Sequence, residues 1–135
     1  MQIKVISGCD NLYGQQTDDL LKQHNAQLGH TADSQWYTIV ALDGENYLGG
    51  ATILAKWDYI FIDYLYVKEK RTGLGRTIMT KIEELAMQLG KRGLYLFTGA
   101  FQTPGFYVAL GFTETGRIPA LSNGKDEILY VKQFT

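Results

Sequence analysis

The clearest pattern in the chain lies between residues 73 and 90, where Leu74, Ile78, Ile82, Leu85 and Leu89 recur at spacings of four, four, three and four. That period puts them on one face of an amphipathic helix, and Gly90 is a natural stop for it. Before the helix, residues 59–68 read YIFIDYLYVK, apolar on both alternating rows, which predicts a central strand with a single carboxylate, Asp63, at its middle. After it, residues 93–98, GLYLFT, predict a strand parallel to 59–68, completing a βαβ unit. Residues 36–42 and 46–55 flank Asp43, Gly44 and Glu45 and predict an antiparallel hairpin. Farther along, Thr103 as N-cap, Pro104 at the first helical position and Gly111 beyond Leu110 delimit a short helix. The runs 112–117 and 127–134 predict two antiparallel strands around a polar loop at 121–126. At the start, residues 2–7 alternate polar and apolar side chains and predict a short strand. A helix is expected from Thr17 to Gly29, with Asp18 and Asp19 complementing the dipole of its first turn. Together these elements predict an α/β fold: a mixed, mainly antiparallel sheet with one βαβ crossover and helices on both faces.

Composition narrows the function classes. A length of 135 residues with 45% hydrophobic side chains predicts a single domain spanning 1–135, large enough to bury a core without staples. A formal charge of −1 removes the broad basic footprint of a nucleic-acid binder. One cysteine, Cys9, excludes an internal disulfide, and with only two histidines the chain offers little for a metal site. No run approaches the roughly 20 apolar residues of a membrane span, and the opening MQIKVISGCD lacks the layout of a signal peptide. The expectation is therefore a cytoplasmic protein that engages neither membrane nor nucleic acid and needs no metal.

Candidate chemistry concentrates in Lys70, Arg71, Thr72, Gly73, Leu74, Gly75, Arg76 and Thr77, between the central strand and the helix. Backbone N–H groups converge in such a turn, and the helix N-terminus adds partial positive charge, so a pyrophosphate is a natural guest. Lys68, Lys70, Arg71 and Arg76 face a single acid, Glu69, a steep local cationic excess. A βα turn that needs its glycines for geometry, with solvated charges, explains the same residues. The spacing is not a Walker loop, and a dinucleotide fingerprint would need glycine at position 78, which is Ile78.

These residues resemble the GNAT N-acetyltransferases. Val67 and the run from Lys70 to Gly75 are similar to the family's Arg/Gln-x-x-Gly-x-Gly/Ala turn, with Lys70 at the usual Arg/Gln position. Phe106 to Phe112 reads FYVALGF and is similar to the family's later helix-to-strand motif; the preceding FQTPG resembles a subgroup of small bacterial GNAT proteins. The resemblance covers about residues 36–134 in the family's order.

The resemblance implies acetyl-CoA as co-substrate, its phosphates at residues 70–77 and its pantetheine arm paired with backbone at Leu65, Tyr66 and Val67 beside a strand bulge. An N–H there would stabilise the oxyanion formed when an amine attacks the thioester. It also implies that Tyr107 protonates the departing thiolate, although an aromatic packed beside Phe106 and Leu110 is an equally physical role. Asp63 is the candidate base or amine-recognition residue, because a carboxylate among apolar neighbours is costly unless it faces a cleft or a partner. A structural ion-pair partner is the competing role. Trp36, Tyr37, Trp57 and Tyr59 are candidates for lining an acceptor pocket. The expected function is acetyl transfer to a primary amine of a small molecule or peptide by direct attack in a ternary complex, with a homodimer common among relatives. A non-catalytic acyl-CoA sensor or scaffold is the competing class, and a nucleotide-binding regulator is a third.

Overall fold

The computed structural model describes residues 1–31 and 33–135. It divides into two compact units, Met1–Asp33 and Ser34–Thr135. The first holds one helix, α1 (Leu12–Gln27), which starts five residues before the expected Thr17. Asn11 sets that start: its side-chain oxygen accepts the Gly14 N–H at 2.9 Å, an N-cap interaction. Asp18 and Asp19 therefore lie inside the helix, where Asp18 pairs with Lys22 at 2.7 Å, and complement no dipole. Gly29, at φ +85°, follows the helix end as expected. The strand expected at residues 2–7 does not form, and Ile3 and Val5 are exposed. Alternation alone cannot make a strand; a partner must take its N–H and C=O groups, and among the described residues of this unit the only element is a helix.

The second unit is a six-stranded sheet with strand order β1-β2-β3-β4-β6-β5. Its strands are β1 (Gln35–Asp43), β2 (Asn46–Lys56), β3 (Tyr59–Val67), β4 (Gly93–Gly99), β5 (Thr113–Ser122) and β6 (Lys125–Gln133). Two helices join them: α2 (Leu74–Gln88) between β3 and β4, and α3 (Pro104–Ala109) between β4 and β5. All neighbours are antiparallel except β3 and β4, so the mixed, mainly antiparallel sheet expected from the sequence is present. The closing hairpin is tighter than expected. Asn123 (φ +48°) and Gly124 (φ +77°) make a two-residue turn where a six-residue polar loop had been read. Asn-Gly is the pair that tolerates positive φ at both central positions, which is what lets the strands extend toward each other.

One face of the sheet holds the core. Ile78, Met79, Ile82 and Ala86 of α2 are buried against Ile53, Ile60, Ile62, Leu94, Leu96, Ile128 and Tyr130 of four strands. A fully buried Ile or Leu contributes about 1.5–3 kcal/mol. Because alternate residues face opposite ways, Tyr59 and Phe61 of β3 and Tyr95 and Phe97 of β4 gather on the other face, with Phe61 and Tyr95 ring centroids 5.0 Å apart.

Two irregularities position the site. Ile53 pairs with Ile62 and Thr52 with Tyr64, so Asp63 is an extra, bulged residue on β3. The parallel pairing of β3 with β4 runs from Tyr59↔Gly93 to Ile62↔Leu96 and stops there. From Asp63 onward β3 pairs only with β2, while Phe97, Thr98 and Gly99 of β4 pair only with β6. The sheet opens between its two central strands, directly above the end of its best-packed region.

Candidate active site

A cleft of about 520 Å³ lies along that opening and over the N-terminus of α2. Leu65, Tyr66 and Val67 of β3 form one wall. Lys70, Arg71, Thr72, Gly73, Leu74, Gly75 and Arg76 form the other, so the expected strand segment and glycine turn are brought together. Thr77 is not part of the lining: its N–H and hydroxyl both turn back to the Gly73 carbonyl at 3.1 Å. That N–H begins the helical ladder, which leaves the N–H groups of Leu74, Gly75 and Arg76 without an intrahelical acceptor. Leu74 is partly served by the Thr72 hydroxyl at 3.4 Å. The turn takes its shape from two residues in the left-handed region, Arg71 at φ +65° and Gly73 at φ +83°.

Gly75 has a different reason to be glycine. A Cβ there would lie 3.2 Å from the Cζ of Phe106, so the α3 ring packs onto the first turn of α2. The two sequence motifs thus touch. On the β2 side of this wall, a Cβ at Gly49 would lie 2.6 Å from the Tyr66 carbonyl, so only glycine lets β2 approach Tyr66 this closely.

A second cleft, of about 700 Å³, continues past β3. Asp63 lines it together with Glu127, Gln102 and Ser122, and its apolar wall includes Phe61, Tyr64, Phe97 and Phe101. Asp63 is half-buried and opens to this space. Trp36, Tyr37, Trp57 and Tyr59 line neither cleft; Trp57 sits in the β2–β3 turn at φ +53°. Their place is taken by aromatics that the outward rows of β3 and β4 and the loop after β4 supply.

Tyr107 lines both clefts and stands at their junction. Its ring is held by Phe106 at 5.1 Å, Phe112 at 5.8 Å and Tyr130 at 6.1 Å between centroids. Burial alone raises its phenol above the ordinary value of 10.0, with no charge or hydrogen bond contributing. The packing role read from the sequence is present, and it leaves the hydroxyl at the edge of both clefts.

The sequence profile of the Acetyltransferase (GNAT) family matches residues 6–112. The chain belongs to the GNAT acetyltransferase family. A blasticidin-S acetyltransferase of Streptomyces morookaense is 31% identical over 89 residues, which make up 64% of this chain and 65% of that protein. Among solved structures, an acetyltransferase from Bacillus cereus superposes with a TM-score of 0.85 at 24% identity, over 97% of this chain and 98% of its own. The aminoglycoside 6'-N-acetyltransferase of Enterococcus faecium gives a TM-score of 0.65 at 18% identity, over 73% and 72% of the two chains. A Bacillus anthracis structure assigned as a streptothricin acetyltransferase, in complex with acetyl coenzyme A, gives 0.64 at 20% identity, over 71% and 61%.

Within this GNAT chain the most consequential residue that sequence reasoning passed over is Glu127. Ile128 and Tyr130 of β6 are buried toward α2, so Glu127, Leu129 and Val131 form the opposite row. A carboxylate heading an otherwise apolar row was the available signal, the same one that singled out Asp63. Thr103 and Phe106 also line the first cleft and were read only as helix start and helix face. Among the described residues no cluster of three or more metal-ligating side chains occurs, and no helix is long and apolar enough to cross a membrane.

Proposed function

We propose that this protein transfers the acetyl group of acetyl-CoA to a primary amine by direct attack in a ternary complex. The observation that carries the reading is the position of Tyr107, which lines both the cleft over the N–H-rich glycine turn and the aromatic cleft where Asp63 and Glu127 stand with Lys70. The residues fit the co-substrate. The first turn of α2 and the side chains of Lys70, Arg71 and Arg76 supply charge and donors for the pyrophosphate. Leu65, Tyr66 and Val67 have a free strand edge toward the opening, to which the amide-bearing arm can pair as an added strand.

In this reading the thioester lies beside the bulge, between Asp63 and Tyr107. An N–H of the free edge donates to the carbonyl oxygen as it becomes an oxyanion. Asp63 accepts the proton that the attacking ammonium must lose, directly or through one water. Tyr107 acts on the leaving sulfur. Full protonation of a thiolate near pKa 8.5 by a phenol near 10 is uphill by about 2 kcal/mol. Burial of Tyr107 makes it a still weaker acid. Its contribution is therefore a hydrogen bond to the developing thiolate: after the free amine has attacked, the nitrogen of the tetrahedral intermediate carries a further, acidic proton, and this one ends on the sulfur as the C–S bond breaks.

The acceptor enters the second cleft, where Asp63 and Glu127 draw a cationic amine and the aromatic walls cover its apolar part. The blasticidin-S acetyltransferase relative supports a small-molecule amine over a protein N-terminus. The free, exposed thiol of Cys9 supports a reducing, cytoplasmic setting.

The test is CoA release from acetyl-CoA with blasticidin S, an aminoglycoside, spermidine and a peptide bearing a free N-terminus. Amine-dependent release that Tyr107→Phe slows at least tenfold is expected. Tight acetyl-CoA binding without release across the panel would instead identify a non-catalytic acyl-CoA module.

A further inference from the structure

The helix that carries Tyr107 has six residues, too few to hold its own geometry in water. Its N-terminal end rests on α2 through Phe106 and Gly75. Its C-terminal end closes when the Tyr107 carbonyl accepts the N–H groups of Leu110 at 3.1 Å and Phe112 at 3.0 Å. The carbonyl of Leu110, the C-cap residue, would then point at protein with no backbone donor.

Lys132 meets it. This β6 side chain runs beneath the end of α3 and donates from Nζ to the Leu110 carbonyl at 2.7 Å and to Glu83 Oε1 of α2 at 2.6 Å. Both charged side chains are about three-quarters covered, at 25% and 24% exposure. Gly111 makes room for the passage: at φ +93° it takes a conformation disfavoured for other residues, and a Cβ there would touch the lysine stem at 3.5 Å. Two strand positions before Lys132, Tyr130 stacks on the Tyr107 ring. One short stretch of β6 thus holds both the ring and the backbone of the same helix.

The energetics favour a positional role. A covered ion pair gains little net stability, because desolvation offsets most of its attraction. What it supplies is a fixed geometry, since the ammonium must stay within hydrogen-bond reach of a carboxylate on one helix and a carbonyl at the end of another.

We propose that Lys132, held by Glu83, is a positioning residue for Tyr107, locking the C-terminal end of α3 so that the phenol stays at the junction of the two clefts. This rests on the role given to Tyr107 above, and the experiment separates the two. Lys132→Met is made in the native chain and in Tyr107→Phe, and CoA release is measured with blasticidin S and spermidine. In the native background kcat falls about tenfold, as expected for a catalytic group displaced by a fraction of an ångström, while KM for acetyl-CoA changes less than twofold. In the Tyr107→Phe background the same substitution costs nothing further. Lys132→Arg, which keeps charge and donors, restores most of the loss, and Glu83→Gln, which leaves the lysine in place, reproduces part of it.

A readout without acceptor accompanies these. The ultraviolet titration of Tyr107, obtained as the difference from Tyr107→Phe, moves toward the ordinary phenol value in Lys132→Met as the ring loosens into solvent. If neither amine is turned over, this titration decides alone. An unmoved phenol with unchanged kcat overturns the positioning role, as does an equal loss in both backgrounds. If Tyr107→Phe itself leaves kcat unchanged, the catalytic reading of Tyr107 falls and the positioning role falls with it. If Tyr107→Phe slows turnover but Lys132→Met does not, only the positioning role falls. Should Lys132→Met fail to fold, Glu83→Gln and Lys132→Arg carry the same comparison.

Discussion

Phe106 of α3 sits on Gly75 of α2, with its Cζ 3.2 Å from where a Cβ would be. The contact joins the two motifs that lie some thirty residues apart in sequence. It also means that the glycine turn and the Tyr107 helix pack directly on each other.

Gly75→Ala tests that contact. The methyl must push the ring by a few tenths of an ångström, an overpacking cost of about 1–3 kcal/mol. Unfolding in denaturant should show a destabilisation in that range. Calorimetry should show weaker acetyl-CoA binding, because the ring also walls the cleft. Gly73→Ala should destabilise by about 1 kcal/mol for a different reason, since its φ of +83° disfavours any side chain while the space around it is open.

Tyr107→Phe should lower kcat by about a hundredfold and leave acetyl-CoA affinity within twofold, since the ring packing survives. Its effect on stability should depend on pH. Burial holds the folded phenol above 10.0, so the unfolded chain ionises first as pH rises. The group's contribution is therefore constant below about pH 10 and is lost above it as pH climbs toward the folded value. Unfolding midpoints compared between the native chain and Tyr107→Phe from pH 8 to 11 should coincide in slope at the lower end and diverge at the upper.

How far the sequence reveals this site depends on whether the signal is local. The glycine turn is legible because a positive φ and a helix start are written in consecutive residues, and Asp63 because one charge interrupts an apolar run. The place of Glu127 in the cleft of Asp63 is not, although a charge heading an apolar row marks the residue itself: β6 reaches the cleft only by pairing with β4. Nor is the neighbour of Gly75, since a sequence shows that a position is glycine but not what presses on it. The misplaced start of α1 has the same origin: two acids after a threonine imitate a capped first turn, while the real cap, Asn11, precedes residues with little helical pattern. Residues 2–7 show the converse, a strand pattern with no partner to complete it.

Asp63→Asn and Glu127→Gln should separate the two carboxylates of the second cleft. Asp63→Asn should lower kcat about a hundredfold, because the amide cannot take a proton. Glu127→Gln should raise KM for spermidine several-fold more than for a singly charged amine and leave kcat nearly unchanged. Equal effects of the two substitutions on kcat and KM would contradict the division of roles.

β5 loses register with β6 between Ile118 and Ser122, and Ala120 adopts φ +52° there. Asp126 holds this irregular stretch: its carboxylate accepts the Ala120 N–H at 3.0 Å and meets Arg117 at 3.3 Å, while Arg117 also bonds Glu114 at 2.7 Å. The Ala120 N–H first and Arg117 second hold Asp126 below its ordinary value of 3.8, and Arg117 holds Glu114 below 4.5. Depressed carboxylates contribute in the ionised form, so the contribution is present above about pH 4.5 and is lost as pH falls through the folded values. Glu114 and Arg117 are exposed and Asp126 is partly so, and the effect is local to the hairpin. Amide exchange at Ala120 should accelerate as pH falls from 4.5 toward 3 relative to the buried amides of β4, after correction for intrinsic exchange. Asp126→Asn should show the faster local opening already at neutral pH. Ser122 lines the second cleft two residues beyond Ala120, so, with the acceptor bound there as proposed, the same substitution should raise KM for the amine while leaving acetyl-CoA binding untouched.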